Sequence, residues 1–319
     1  MFANVQLNAN EPTQTLNLNL HALDPIAQRV VAPENVSKVW PGAYISDNAT
    51  ITLTFNGDEV HANWASTYGL SGNVSLTRAE AIDSWIDDLD LQEISWREFQ
   101  DEISSLFYGK QIFRGQSGNW PLRSSFHRTM ANDLVAYFER SIPSVRRQLT
   151  PFLQNTSFDG PEGELALLHL LQHYGYPTPL IDWSYSPYIA AYFAYAPKEA
   201  NGRYIFTFDK EKWEVRHPAK VRVGFCEPHI SIVEALPILN DRTLPQQGLS
   251  MMTNIASVEA YIRAREEKFK ELYLNTHRLR DSDREEALND LTMMGISPAT
   301  IFPGLEGACQ AMKARHFGY

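Results

Sequence analysis

Alternating apolar and polar positions mark the clearest element in the first third of the chain. In "ATITLTFNGDEVHANWAS" (residues 49–66), apolar residues alternate with threonines up to Phe55, and the alternation resumes from Val60. A period of two is typical of a strand with one buried face. Because Asn56-Gly57 between the two halves is a strong turn signal, the pattern predicts a β-hairpin.

Helical periodicity follows from about residue 75 and breaks in the acidic stretch 88–91. A new helix begins after Ser95, with Glu98 completing a capping box. Further helices are predicted over 131–152, over 164–175 ending at Gly175, after Ser186 as N-cap, and over 281–295 with a Ser282–Glu285 capping box. Short apolar runs predict strands at 110–115, 203–208 and 221–226.

The order of these elements lacks the regular alternation of a parallel βαβ fold. The sequence therefore predicts an α+β protein, with a mixed sheet and flanking helices that form a cleft. A domain boundary is expected at about residue 90. Residues 1–90 would form a variable N-terminal region with the hairpin, and residues 91–319 the main domain.

Composition and charge narrow the class of protein. The chain has 319 residues, and its net charge of −10 argues against a nucleic-acid-binding surface. Only two cysteines are present, Cys226 and Cys309, which is typical of a reducing compartment. The first residues lack the pattern of a signal peptide, and the longest apolar stretch, 189–196, is too short to span a bilayer. We expect a cytoplasmic protein without a membrane partner.

The run "KQIFRG" (residues 110–115) contains the first candidate for chemistry. An arginine that follows a short apolar strand directs its charge either to solvent or to an anionic partner. Gly115 next to it allows backbone or ligand to come close. Arg114 is therefore a candidate ligand-binding residue.

A second candidate segment, "HYGYPTPLIDWSYS" (residues 173–186), lies between two apolar helices. Irregular chain that is polar and aromatic, held by rigid elements, is where sites are built. Its candidate substrate-binding residues are His173, Tyr174, Asp182, Trp183 and Ser186. A purely structural interpretation is also open, in which Asp182 bonds turn amides and Ser186 only caps a helix.

Several sequence motifs that identify common enzyme classes are absent from the chain. The chain lacks the phosphate-binding loop, the dinucleotide fingerprint, the hydrolase nucleophile elbow and the zinc-protease motif. His169 and His173 share one helix face, but no acidic residue between them completes a metalloprotease pattern. We predict no metal.

Four motifs in order resemble the FRG domain. They read "IFRGQSGNWPLRSSFHR", "LLQHYGYPTPLIDWSYSPYIAAYFA", "RTLPQQGLS" and "MMGISPATIFPGLEG". The resemblance extends from about Ser95 to Glu306. It implies a role in bacterial or phage conflict systems, and a variable N-terminal region that docks a protein partner. The family pattern has an arginine where this chain has Pro179.

A weaker resemblance connects the same segments with ADP-ribosyltransferases. These enzymes pair an arginine at a strand end with a Ser-x-Ser that opens a helix, and with a later Glu or Gln. Arg114 and Ser184-Tyr185-Ser186 match the first two parts, and Gln247 is the preferred third residue, with Glu306 as the alternative. The resemblance implies catalytic roles for Arg114, Ser184 and Gln247, with NAD as the substrate. Arg114 would clamp the diphosphate while Gly115 lets it approach.

Three functions remain open from the sequence. The first is an enzyme that cleaves NAD and transfers ADP-ribose to a macromolecule or to water. The second is a non-catalytic module that binds a nucleotide or a phosphorylated ligand through Arg114. The third, a nuclease-like effector using His127, His173 and Asp182, is disfavoured by the acidic balance of the chain. Both leading functions require the strand of Arg114 and segment 174–186 to form opposite walls of one cleft.

Overall fold

The computed structural model describes residues 7–8, 10–20, 22–24, 29–31, 35–43, 45–77, 91–153, 156–220 and 228–318. The described residues up to 77 belong to one compact unit and those from 91 onward to a second. The helix predicted from about residue 75 is wrong at its start, because residues 75–77 end a β-strand (Ser71–Thr77). Its remainder and the predicted boundary at about residue 90 fall within 78–90, and the predicted strand 221–226 falls within 221–227. Both stretches lie outside the described residues.

The first unit is built mainly from antiparallel strands. Its elements are β1 (Thr13–Asn19), β2 (Ala22–Asp24), β3 (Arg29–Val31), α1 (Val36–Val39), β4 (Asn48–Asn56), β5 (Glu59–Ser66) and β6 (Ser71–Thr77). Four strands form a sheet in the order β1-β4-β5-β6, and β2 pairs with β3. The predicted hairpin is confirmed as β4 and β5. Its two turn residues are Gly57 and Asp58, one position later than predicted, and Gly57 has a φ of 62°.

The second unit alternates short strands with helices. Its strands are β7 (Glu93–Ile94), β8 (Gln111–Gln116), β9 (Leu180–Ser184), β10 (Arg203–Asp209), β11 (Ile230–Val233), β12 (Gly248–Thr253) and β13 (Leu274–Leu279). Its helices are α2 (Trp96–Ile103), α3 (Ser125–Arg128), α4 (Leu134–Ala136), α5 (Ile142–Leu149), α6 (Gly160–His173), α7 (Pro187–Tyr195), α8 (Lys210–Arg216), α9 (Val258–Phe269), α10 (Arg284–Met293), α11 (Pro298–Ile301) and α12 (Leu305–Phe317).

The seven strands of this unit form one mixed sheet in the order β11-β12-β9-β8-β10-β13-β7. Neighbouring strands are antiparallel except for β13 and β7. Adjacent residues of a strand point to opposite faces, so Ile112 and Phe113 of β8 enter two different apolar clusters. Helices α8 and α9 contribute to the first cluster, and α2, α7 and α10 to the second. The predicted α+β class with a mixed sheet is confirmed.

The capping predictions have mixed outcomes. The Ser95–Glu98 capping box is present, and Ser186 accepts a bond from the Ile189 amide at the start of α7. The Ser282–Glu285 box is wrong, because the Ser282 hydroxyl donates to Asp283 and a 3₁₀ turn precedes α10. The helix predicted over 131–152 is divided into α4, a π-helical turn (Tyr137–Ser141) and α5.

Strands β8 and β9 separate at the centre of the sheet. They pair only at Phe113 and Ser184, whereas β8 pairs with β10 over its whole length. The residues beyond this position therefore border a gap in the sheet. In the part of the chain that the structure describes, no helix is long and apolar enough to cross a bilayer.

Candidate ligand-binding site

The gap between β8 and β9 opens into a cavity with a volume of about 360 Å³. This volume is at the lower end of the range for small-molecule sites. Side chains with strong hydrogen-bonding groups line it: Arg114, His169, Gln172, His173, Asp182 and Arg242. The predicted cleft between the strand of Arg114 and segment 174–186 is therefore present in the fold.

Arg114 is half-buried and lies within β8, two residues before its end. Its Nη1 donates to the backbone carbonyl of Asp182 at 2.6 Å, and its Nε donates to Gln116 Oε1 at 3.2 Å. Burial lowers the pKa of the guanidinium to about 10, so it stays charged at neutral pH. Among the described residues, no carboxylate forms an ion pair with Arg114. A half-buried guanidinium that is fixed by two bonds and forms no direct ion pair is suited to an anionic ligand, although the nearby Asp182 carboxylate also stabilises its charge.

Gly115 lines the cavity, but the packing of helix α7 is what requires a glycine at this position. A Cβ atom on Gly115 would lie 1.8 Å from the carbonyl oxygen of Ala190 in helix α7. The glycine therefore allows α7 to lie directly on β8. Of the two interpretations that the sequence left open, close approach of backbone or of ligand, the structure shows the approach of backbone.

Asp182 is exposed and belongs to a short hydrogen-bonded chain. Gln172 of α6 donates to its carboxylate, and the Thr178 hydroxyl donates to the Gln172 side-chain oxygen. Ser250 of β12 lies 3.5 Å from the same carboxylate oxygen. These contacts orient the Asp182 carboxylate, which is the negative group of the cavity wall.

Two histidines of α6, one turn apart, contribute imidazole rings to the wall. Burial lowers the pKa of His169 against an opposing effect of Asp182, and burial together with Arg242 lowers the pKa of His173. Both rings are therefore neutral at pH 7. His169 Nε2 is buried and has no hydrogen-bond partner among the described residues. A buried nitrogen without a hydrogen bond lowers the stability of the folded protein by about 1–3 kcal/mol.

Arg242 comes from the turn-rich segment that precedes β12. Its Nη2 lies 2.6 Å from Glu306 Oε2, and its guanidinium lies over the Phe302 ring at 5.0 Å. The same segment is anchored twice, since Ser184 Oγ donates to the Gln246 carbonyl at 2.8 Å and Gln246 Nε2 donates to the Ile301 carbonyl at 3.1 Å.

Three of the predicted site residues do not line the cavity: Tyr174, Ser186 and Gln247. Tyr174 is 76% exposed. Ser186 caps α7. Gln247 adopts a left-handed φ of 45°, and its carbonyl accepts the Tyr185 amide at 3.0 Å. Glu306, the alternative to Gln247, contacts Arg242 but is not part of the cavity wall.

Other predicted residues do come together. Arg114, Gly115, His173, Asp182, Trp183 and Ser184 all line the cavity. Trp183 is buried, and its ring packs 6.0 Å from that of Phe208. His127 of the nuclease hypothesis bonds to Ser124 instead, at 2.7 Å, and is absent from the cavity wall. The described residues contain no group of three or more His, Cys, Asp or Glu side chains arranged to hold a metal ion.

The sequence analysis missed several wall residues: Gln172, Asn240, Arg242, Thr243, Gln246 and Phe302. His169 and His173 were interpreted either as part of a metal site or, preferably, as histidines that cap a loop or fill a polar pocket, and the structure places both in the cavity wall. One signal was available, because His169, Gln172 and His173 lie three and four positions apart on one helix and thus share a face. Arg242 and Phe302 carry no such signal, since only the fold brings them to β8.

The fold and the site define a class: an α+β protein with a split sheet and a polar, arginine-bearing cleft. Residues 109–203 match the model of the FRG domain, so the chain carries an FRG domain as predicted. The match is shorter than the predicted extent from Ser95 to Glu306. No curated protein and no solved structure matched the chain.

Proposed function

We propose that the cleft binds the phosphate groups of a nucleotide, with NAD as the leading candidate, and that the protein transfers or hydrolyses its ADP-ribose portion. The observation that carries the proposal is Arg114, a charged guanidinium fixed at a cavity of small-molecule size. Arginine matches phosphate oxygens in a bidentate geometry that lysine lacks. An enzyme of this kind would act as an effector in a bacterial or phage conflict system.

Cleavage of NAD requires a group that stabilises positive charge on the ribose as nicotinamide leaves. Gln247 and Glu306 do not line the cavity, whereas the oriented carboxylate of Asp182 does. The proposal therefore gives this role to Asp182. The neutral imidazole of His173 in the same wall is suited to accept a proton from water or from an acceptor hydroxyl.

A second candidate function is a non-catalytic module that binds a nucleotide and passes its signal to a protein partner through the N-terminal unit. One observation favours it, namely that neither predicted third residue of the transferase pattern reaches the cavity. A binding module needs Arg114 and no group to stabilise a developing charge.

The substitution Arg114→Lys tests the binding step. We expect NAD affinity, measured by calorimetry, to fall about tenfold to a hundredfold, because one charged bidentate contact contributes about 1.5–3 kcal/mol. Arg97→Lys is the matched control, since Arg97 pairs with Glu286 and does not line the cavity. Equal affinity of wild type and Arg114→Lys would contradict the proposal.

Release of nicotinamide separates the two functions. The enzyme proposal predicts that wild-type protein releases nicotinamide from NAD, alone or with cell extract as the acceptor, and that Asp182→Asn slows release about a hundredfold. Tight nucleotide binding without any release would decide for the non-catalytic module.

A further inference from the structure

Arg242 is the second arginine in the cavity wall, and it forms an ion pair with Glu306 that a ligand would have to displace. Its guanidinium contacts Glu306 through one short bond, whereas Arg114 pairs with no carboxylate among the described residues. Glu306 lies in the first turn of α12, its side chain is 58% exposed, and it is not part of the cavity wall. The wall thus contains one guanidinium without a direct ion pair and one that is paired with a carboxylate outside the wall.

The ion pair is weak enough to be exchanged. Partly exposed pairs of this kind stabilise a protein little, because water solvates both partners. The segment that carries Arg242 is fixed independently by the bonds of Gln246 to Ile301 and Ser184. The Arg242 side chain can therefore change its partner without a movement of the backbone.

We propose that Arg242 binds a second phosphate group of the ligand and that Glu306 occupies Arg242 when the site is empty. Two arginines in one small cavity match a diphosphate better than a single phosphate. This inference rests on the proposed function, which requires only Arg114, and it specifies the substrate class as a nucleoside diphosphate or a dinucleotide. Glu306 is then an internal competitor of the ligand.

The test compares three variants of the full chain by calorimetry, with ADP, AMP and inorganic pyrophosphate as probes. Glu306→Gln removes the competing charge and should raise affinity for ADP and pyrophosphate about fivefold, with AMP changed less than about twofold. Arg242→Gln should lower affinity for the same two probes about tenfold. The double variant should match Arg242→Gln alone, because Glu306 acts only through Arg242.

Glu286→Gln is the matched control. It changes the net charge equally and also removes a carboxylate from an arginine, Arg97, but outside the cavity wall. It should leave all affinities unchanged, and thermal denaturation should show that every variant is folded.

The outcomes separate this inference from the proposed function. ADP binding that depends on Arg114 but is unchanged in Glu306→Gln and Arg242→Gln would overturn the role of Arg242 alone. If pyrophosphate affinity changed as expected in the Arg242 and Glu306 variants but no nucleotide bound, the proposed function would be overturned. The role of Arg242 in binding an anion would still be supported. If Glu306→Gln and Glu286→Gln raised affinity equally, the gain would come from the change in net charge. That result would overturn the proposal that Glu306 competes with the ligand.

Discussion

Two glycines of the cavity wall, Gly115 and Gly248, have different surroundings. A Cβ atom on Gly115 would be forced into the backbone of α7, while one on Gly248 would lie 3.4 Å from its nearest neighbour, the Thr243 carbonyl oxygen. A backbone atom cannot move aside without shifting the whole helix. The absence of a side chain is therefore required at Gly115, whereas a methyl group at Gly248 would make an ordinary van der Waals contact.

The substitution Gly115→Ala should lower the free energy of unfolding by about 3 kcal/mol, because overpacking at a helix–strand contact strains both elements. Gly248→Ala should change it by less than about 1 kcal/mol, since the new methyl group has room. Urea denaturation followed by tryptophan fluorescence measures both. Equal losses in the two variants would show that α7 can move away from β8.

The predicted site residues that line the cavity lie in strong local patterns. Arg114 follows an apolar strand, and Asp182 and Ser184 lie in a polar segment between two apolar helices, so position along the chain was enough. Arg242 could not be predicted as a site residue, because it lies in a turn more than 100 residues after β8 and only the fold brings it to the cavity. Such contacts depend on tertiary packing, which local patterns do not encode.

At the scale of elements, helix α7 is held at its start by two serines. Ser186 Oγ accepts the Ile189 amide at 3.3 Å, and Ser184 Oγ accepts the Ser186 amide at 3.0 Å. The sequence predicted Ser186 as an N-cap and also as a substrate-binding residue. The structure supports the first role with a direct bond, and Ser186 does not line the cavity.

Ser186→Ala should lower the free energy of unfolding by about 1 kcal/mol, the usual contribution of an N-cap side chain, with NAD affinity unchanged. Ser186→Asp restores an acceptor for the Ile189 amide and should recover most of the loss. Thermal denaturation and calorimetry on the same samples provide both quantities. A loss of affinity at unchanged stability would instead establish Ser186 as a ligand contact.

Three local signals made elements predictable: a period of two for β4 and β5, short apolar runs for β8 and β10, and a capping box for the start of α2. The helix over 131–152 was predicted as one piece because apolar spacing alone does not reveal a π-helical turn. The Ser282 box failed for a local reason, since the neighbouring Asp283 competes for the serine hydroxyl.

At the scale of the whole molecule, buried histidines make stability depend on pH. His127 and His229 are 4% and 5% exposed, and burial lowers the pKa of each to about 4. The unfolded chain titrates near 6.5, so it binds more protons than the folded protein below that pH. The stability present above about pH 6.5 is therefore lost as the pH falls toward 4.

At pH 5, about 1.5 pH units below the pKa of histidine in the unfolded chain, each of these histidines should lower the free energy of unfolding by about 2 kcal/mol. His127→Asn should reduce the difference in unfolding free energy between pH 7 and pH 5 by about that amount. His316→Asn, at an exposed position of α12, is the control. Denaturant titrations at both pH values provide the comparison, and an unchanged difference in His127→Asn would contradict the assignment.

The FRG match ends at Arg203, in the first residue of β10. The matched stretch supplies Arg114, His169 and Asp182, while the facing side chains Arg242 and Phe302 come from later in the chain. A protein that shares only this stretch would therefore have only part of this cavity wall. Transplanted alone, the stretch would also leave β8 without β10 and β9 without β12, as two open edges for other chains to join. The part of the chain that matches the family model therefore contains one side of the cavity wall, and residues outside the match supply the other.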